Sequence, residues 1–147
     1  EYLCARHGAH MVPPADSDAF TSHLELMHFA EGSVMTPILL GLYVGRLGDA
    51  GAPLAPRIQE QMGSHFAHME SVLRPSGHFV LDELSAADIM LSFPAEVALR
   101  LGRGDDFPAL AGFLPCFVVV PLSPAGIEPY VDMGLFLKFL ISSLSIL

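Results

Sequence analysis

Apolar residues recur at helical spacing through much of this chain, and no alternating strand pattern occurs before residue 115. Between residues 18 and 46 they follow one another at three-, four- or seven-residue steps, the repeat of one buried helix face. These positions are Phe20, Leu24, Met27, Val34, Ile38 and Leu42. Pro37 cannot donate a backbone hydrogen bond to Ser33, so we expect a kink or break near Thr36.

Three further helices follow from the same periodicity. A second helix covers residues 58–73 and ends near Pro75, and we expect it to pack antiparallel to the first. A third runs from residue 86 to about 101, and a fourth begins within residues 107–114. The residues predicted to face inward are Ile58, Met62, Phe66, Met69 and Leu73 in the second helix and Ile89, Phe93 and Val97 in the third. The predicted fold is an all-α helical bundle.

The segment ELSAADIMLSFP carries the signature of a helix start. Ser85 and Asp88 are three residues apart, as in a capping box, where each side chain binds a backbone N–H of the other residue. Leu84 and Ile89 are placed to form a hydrophobic staple across the same helix entry. We therefore assign Ser85 and Asp88 a structural role as a helix cap and no catalytic role.

Charge and cysteine content exclude some classes of partner. Seven basic residues stand against sixteen acidic ones, for a formal net charge of -9, so no basic patch is available for nucleic acid. Cys4 and Cys116 are the only cysteines, which is not the pattern of a disulfide scaffold and favours a reducing, cytoplasmic setting.

Both ends of the chain differ from its middle. The first residues, EYLCARHG, read as the end of a helix, which suggests that the true N-terminus is missing. From Pro115 the sequence becomes apolar and contains no arginine. Its last stretch, residues 133–147, is shorter than the roughly twenty residues needed to span a bilayer. A packed terminal helix, a short membrane-associating tail and a junction that is not the native ending remain open, and we favour the last.

Several weaker patterns are better explained by structural roles than by a metal, catalytic or nucleotide site. Cys4, His7 and His10 form C-x-x-H-x-x-H, and His65 and His68 add a helical pair, but scattered histidines are more often surface residues, so we predict no metal site. Asp105 and Asp106 are expected to cap the following helix. Glycines 41, 45 and 48 lack a preceding strand and are expected to allow close helix packing and a turn.

Taken in order, three segments resemble the C-terminal helical domain of the glutathione S-transferase superfamily: EYL before a proline-rich linker, LMHFAEGSVMTPILL, and LSAADIMLSFP. HFAEGS, SAADI and SFP suggest a bacterial or fungal branch. The resemblance implies the end of a thioredoxin-like domain at residues 1–8, an interdomain linker at 9–17 and the helical domain at 18–114. Residues 115–147 form a divergent apolar tail on this view.

The resemblance implies a glutathione transferase, with glutathione as co-substrate and no cofactor. The activating residue of this family lies in the thioredoxin-like domain, so we assign no catalytic residue here. The resemblance also implies that the first helix lines the pocket for the electrophilic co-substrate, which points to His28, Glu31 and Met35. Their three- and four-residue spacings place them along one face of a regular helix; a solvated pair beside a core methionine is the alternative.

The resemblance also implies a cytoplasmic homodimer, to which this fragment contributes part of the pocket and of the dimer contacts. A non-catalytic helical interaction module is the alternative function. Membrane contact through the apolar tail is a third possibility, which we do not favour.

Overall fold

The computed structural model describes residues 2–113, which form helices joined by turns, with no strand among them. The predicted all-α fold is confirmed for this part of the chain. The predicted apolar tail, residues 115–147, lies outside the described residues. The α-helices are α1 (Tyr2–His7), α2 (Asp18–Phe29), α3 (Met35–Gly45), α4 (Ala55–Val72), α5 (Ala86–Arg100) and α6 (Pro108–Phe113). Single 3-10 turns occupy Ala9–Met11, Gly48–Ala50 and Ala52–Leu54.

The predicted long first helix is continuous but irregular. A five-residue π-helical turn, Ala30–Val34, joins α2 to α3, and within it the N–H of Met35 donates to the carbonyl of Ala30. The irregularity lies immediately before the predicted position near Thr36. Its physical reason is Pro37, which lacks an N–H and whose ring would crowd the carbonyl four residues earlier in a regular helix.

The two halves of this helix pack on different partners. Helix α2 contacts α5, α3 contacts α4, and the π turn contacts both α4 and α5. The buried face of α2 was only partly predicted, because Leu24 is 37% exposed and His23 and Leu26 are buried in its place. Val34 is fully buried, as the spacing suggested.

Helices α3 and α4 run in opposite directions, as predicted. A Cβ atom at Gly41 would lie 3.5 Å from Ile58, whereas Val44, one turn later, lies against Gly51, which precedes α4. Gly48 provides the reversal between them with a φ of 56°, a conformation that favours glycine. The glycines therefore have the packing and turn roles expected of them at positions 41 and 48.

The buried face of α5 differs from the predicted one. Ile89 is 46% exposed, and Phe93 and Val97 are only half-buried. The core positions are instead Ala87, Leu91, Ala95 and Ala98, all fully buried. Small alanine side chains let α5 approach its neighbours closely, and the hydrophobicity of the larger side chains pointed to the wrong face.

The predicted capping box at the start of α5 is confirmed and extends further than expected. The Ser85 N–H and hydroxyl donate to Asp88 Oδ2 over 2.7 and 2.6 Å, and the Asp88 N–H donates back to the Ser85 hydroxyl. The N–H of Phe79 donates to Asp88 Oδ1 over 2.7 Å. Ser85 and Asp88 are both fully buried. The carboxylate thus holds the loop before α5 as well as the helix itself.

Helix α6 is capped from a distant part of the chain. The N–H groups of Ala109 and Leu110 donate to the carboxylate of Glu70 on α4 over 2.8 and 2.9 Å. The expectation that Asp105 and Asp106 cap this helix is corrected, because Asp106 pairs with Arg103 at 3.1 Å and Glu70 takes the helix donors. Asp105 and Asp106 are close to α6 in sequence, whereas Glu70 reaches α6 only in the folded chain.

We predict that Asp88→Ala destabilises the domain by about 3 kcal/mol, measured by urea denaturation. Loss of a cap alone costs about 0.5 to 2 kcal/mol, and the N–H of Phe79 loses its acceptor in a buried site, which adds about 1 to 3 kcal/mol. The exposed Glu83→Ala variant is the control and should change stability by less than about 0.5 kcal/mol. Equal midpoints for the two variants would contradict the structural role of Asp88.

We also predict that Glu70→Ala lowers the free energy of unfolding by about 1 to 2 kcal/mol, because two N–H groups of α6 lose a charged acceptor. Hydrogen exchange at Ala109 and Leu110 should accelerate at the same time. Glu60→Ala, which removes an exposed partner of Arg57 on the same helix, serves as the matched variant. Unchanged hydrogen exchange at both amides in Glu70→Ala would contradict the assignment of Glu70 as the cap of α6.

Candidate functional site

The three residues proposed for a co-substrate pocket lie on both sides of the π turn. His28 is in the last turn of α2 and is exposed, Glu31 is in the π turn and is exposed, and Met35 begins α3 and is half-buried. Two polar side chains therefore lie at the surface, and one apolar side chain is partly covered by the rest of the bundle.

The π turn changes the geometry assumed for these residues. In a regular helix His28 and Met35, seven residues apart, lie on nearly the same face. A π turn accommodates about one extra residue, which rotates the following helix by about 100° relative to the preceding one. His28 and Glu31 lie at the surface and Met35 is half-buried, and the shared pocket face of the three residues stays a prediction.

Phe29 lies between two histidines of α4. Its ring centroid is 5.5 Å from that of His65 and 4.9 Å from that of His68, and both contacts are edge-on. Partial burial lowers the pKa of His65 below its ordinary value of 6.5, and the nearby His68 lowers it further. These histidines form an aromatic contact between α2 and α4, a role that sequence reasoning missed. Their three-residue spacing was the only signal available.

The proposed pocket residues line neither of two open pockets in the described part of the chain. A cavity of about 310 Å³ lies between α1 and the following segment, lined by Cys4, Ala5, Ala9, Val12, Pro13 and Pro14. The other, of about 240 Å³, lies between the end of α3 and the start of α4 and is lined mainly by glycine and alanine. His28 and Glu31 instead stand on an open surface, which requires a second wall before it can enclose a small molecule.

The weighed metal ligands are not brought together. Cys4 is buried, whereas His7 and His10 are exposed. Across residues 2–113, no group of three or more histidine, cysteine, aspartate or glutamate side chains is arranged to hold a metal ion. In the same range, no helix is both long and apolar enough to cross a membrane.

Comparisons with known proteins agree with the helical fold. No family model matches the chain. Glutathione S-transferase 1 of Saccharomyces cerevisiae is 23% identical over 123 residues, which cover 72% of this chain and 53% of that protein. A crystal structure of a glutathione S-transferase from Actinobacillus pleuropneumoniae matches with a TM-score of 0.69 and 24% identity, over 82% of this chain and 55% of that one.

The structural match shows that this chain has a helical fold found in glutathione S-transferases. Together with the sequence similarity to the yeast protein, it supports membership of the glutathione S-transferase superfamily, in agreement with the resemblance seen in the sequence. The chain spans about half the length of the relatives that it matches.

The Phe29 contact yields a pH-dependent prediction. Because the pKa of His65 is lower in the folded protein than its ordinary 6.5, the unfolded chain binds more protons between these two values. Stability should therefore fall as the pH drops through 6.5 toward the lowered pKa. His65→Gln should reduce this acid-side loss in denaturation series collected at successive pH values.

His10→Gln, which changes an exposed histidine on another segment, provides the comparison and should keep the wild-type slope. A wild-type slope in His65→Gln as well would show that His65 does not contribute to the acid dependence.

Proposed function

We propose that this chain is the C-terminal helical domain of a cytoplasmic glutathione transferase that conjugates glutathione to electrophilic substrates. The observation that carries the proposal is the fold match to a glutathione S-transferase over 82% of the chain. The independent sequence similarity to the yeast glutathione S-transferase supports it. Detoxification of reactive compounds is the corresponding role.

In this proposal the intact protein divides its chemistry between two domains. A thioredoxin-like domain before Glu1 binds glutathione and stabilises its thiolate, and the present chain supplies one wall of the co-substrate pocket through His28, Glu31 and Met35. The thiolate sulfur bonds to the electrophilic carbon as the leaving group departs with its electron pair. Holding the two reactants in contact accelerates such a bimolecular step strongly, so a wall contributes to rate without a catalytic group.

The open geometry of the proposed site is consistent with this division. His28 and Glu31 are exposed at the surface of α2 and the π turn, and a facing domain is what would turn this surface into a closed site. Met35, half-buried beside them, would offer an adaptable apolar contact to the co-substrate.

We further propose a homodimer to which this domain contributes apolar contacts. Several large apolar side chains of α3 and the following connection are exposed, and exposed apolar surface of this kind is what a protein–protein interface covers. They are Leu40 at 42%, Tyr43 at 41%, Leu47 at 60% and Leu54 at 54%.

The proposal is tested with a protein in which the thioredoxin-like domain proposed to precede Glu1 is joined in frame. We expect this protein to conjugate glutathione to benzyl chloride. The thioether product is measured by chromatography. His28→Ala should raise the KM for the electrophile several-fold and leave the KM for glutathione unchanged. The same substitution at the exposed His10 should change neither constant. Absence of thioether formation with intact glutathione binding would overturn the proposed function.

A further inference from the structure

Phe29 holds the end of α2 against α4 through two histidines. Its ring centroid is 5.5 Å from that of His65 and 4.9 Å from that of His68, and the rings are inclined at 78° and 68°. All three side chains are half-buried, so the contact lies at the edge of the core. We call these three residues the aromatic clasp.

The remainder of α2 is held by other contacts. Helix α2 packs chiefly on α5, and the π turn that follows it contacts both α4 and α5. Ala30 and Val34, the first and last residues of that turn, are fully buried. The aromatic clasp can therefore open while α2 stays on α5 and the π turn stays in the core.

No carboxylate balances a positive charge in the clasp. Among residues 2–113, the ion pairs involve arginine side chains or His78, and none involves His65 or His68. Helices α3 and α6 carry no acidic or basic side chain. Charging His65 beside a charged His68 therefore places two positive charges three residues apart on one helix, which is unfavourable.

The ionisable side chains of the other neighbouring elements are engaged or exposed. Glu70 of α4 caps α6, and Asp88 of α5 caps its own helix. Glu96 of α5 pairs with an arginine four residues later. The exposed ones closest in sequence to the end of α2 are Glu25, His28 and Glu31.

We propose that the aromatic clasp of Phe29, His65 and His68 is an acid-sensitive device, which opens locally and more often as the pH falls while the rest of the bundle stays folded. Opening exposes the histidines to water, where neither burial nor a neighbouring charge penalises a charged imidazole.

The sign and size of the effect follow from proton binding. Burial and the charge of His68 lower the pKa of His65 below 6.5 in the closed form, so the open form binds more protons. As the pH falls from 6.5 toward the lowered pKa, the population of the open form rises. The rise is at most about tenfold for each pH unit, because opening binds one additional proton.

Hydrogen exchange on the 147-residue chain measures the opening. We expect protection factors at the amides of His28 and Phe29, at the end of α2, to fall between about pH 7.5 and about pH 5. Low concentrations of urea should leave these values unchanged, because a local opening exposes little surface. Protection at Leu91 and Ala95, in the core of α5, should fall steeply with urea, because these amides exchange through global unfolding.

Glutamine variants identify the titrating groups. Glutamine is polar and does not take up a proton in this range, so His65→Gln should abolish the acid-induced rise in opening and His68→Gln should reduce it. His10→Gln changes an exposed histidine on another segment and should keep the wild-type rise. Phe29→Leu removes the aromatic contact and should give weak protection at every pH.

An unchanged rise in His65→Gln, or protection that increases in acid, would overturn the inference. Equal urea dependence at Phe29 and Leu91 would also overturn it, because the acid effect would then be global unfolding. The aromatic clasp does not rest on the proposed function. The conjugation assay enters neither readout, so a failure here leaves the proposed transferase untouched.

Discussion

The buried carboxylate of Asp88 is the interaction on which the second half of this domain depends. It accepts hydrogen bonds from the backbone of Ser85, the hydroxyl of Ser85 and the backbone of Phe79. A carboxylate without access to water is tolerated only when such donors replace its hydration. The same bonds set where α5 begins and where the preceding loop lies. Phe79, placed by one of them, packs edge-on against Phe113 with ring centroids 5.0 Å apart.

The first half of the domain is organised by a mismatch between two packing faces. Helix α2 packs on α5, and α3 packs on α4. One regular helix would have to contact both α5 and α4 with the same apolar face. The π turn absorbs the difference in register, and the buried Ala30 and Val34 hold it to both neighbours. Pro37 prevents regular hydrogen bonding at this point, and the wider turn lets both halves of the helix keep their packing partners.

Local patterns predicted the elements well and their faces less well. The capping box at Ser85 and Asp88 and the irregularity caused by Pro37 are both written in residues a few positions apart, so sequence spacing was sufficient. The inward face of α5 was misjudged because, apart from Leu91, its core positions are alanines, whose small size matters only against a specific neighbour. The cap of α6 was missed because Glu70 lies far from Ala109 in sequence and meets it only in the folded chain.

The candidate site also combines features that local sequence predicts with features that depend on the folded chain. The resemblance pointed to His28, Glu31 and Met35, and the structure leaves His28 and Glu31 exposed and Met35 half-buried. Spacing alone did not indicate the π turn, which contains Glu31 and ends just before Met35, because the effect of Pro37 on register depends on how both helix halves pack. The contacts of Phe29 with His65 and His68 join α2 to α4 and were equally inaccessible to a local pattern.

The clamp from Glu70 to α6 also has a consequence for the order of assembly. The first turn of a helix such as α6 is the hardest part to form alone in water, since nucleation fixes several residues for a single hydrogen bond. Its first donors are satisfied by a side chain of α4, so α6 gains this support only after α4 has formed. Synthesis proceeds from the N-terminus, and α4 leaves the ribosome first. The vectorial order of translation therefore matches the dependence of the later helix on the earlier one.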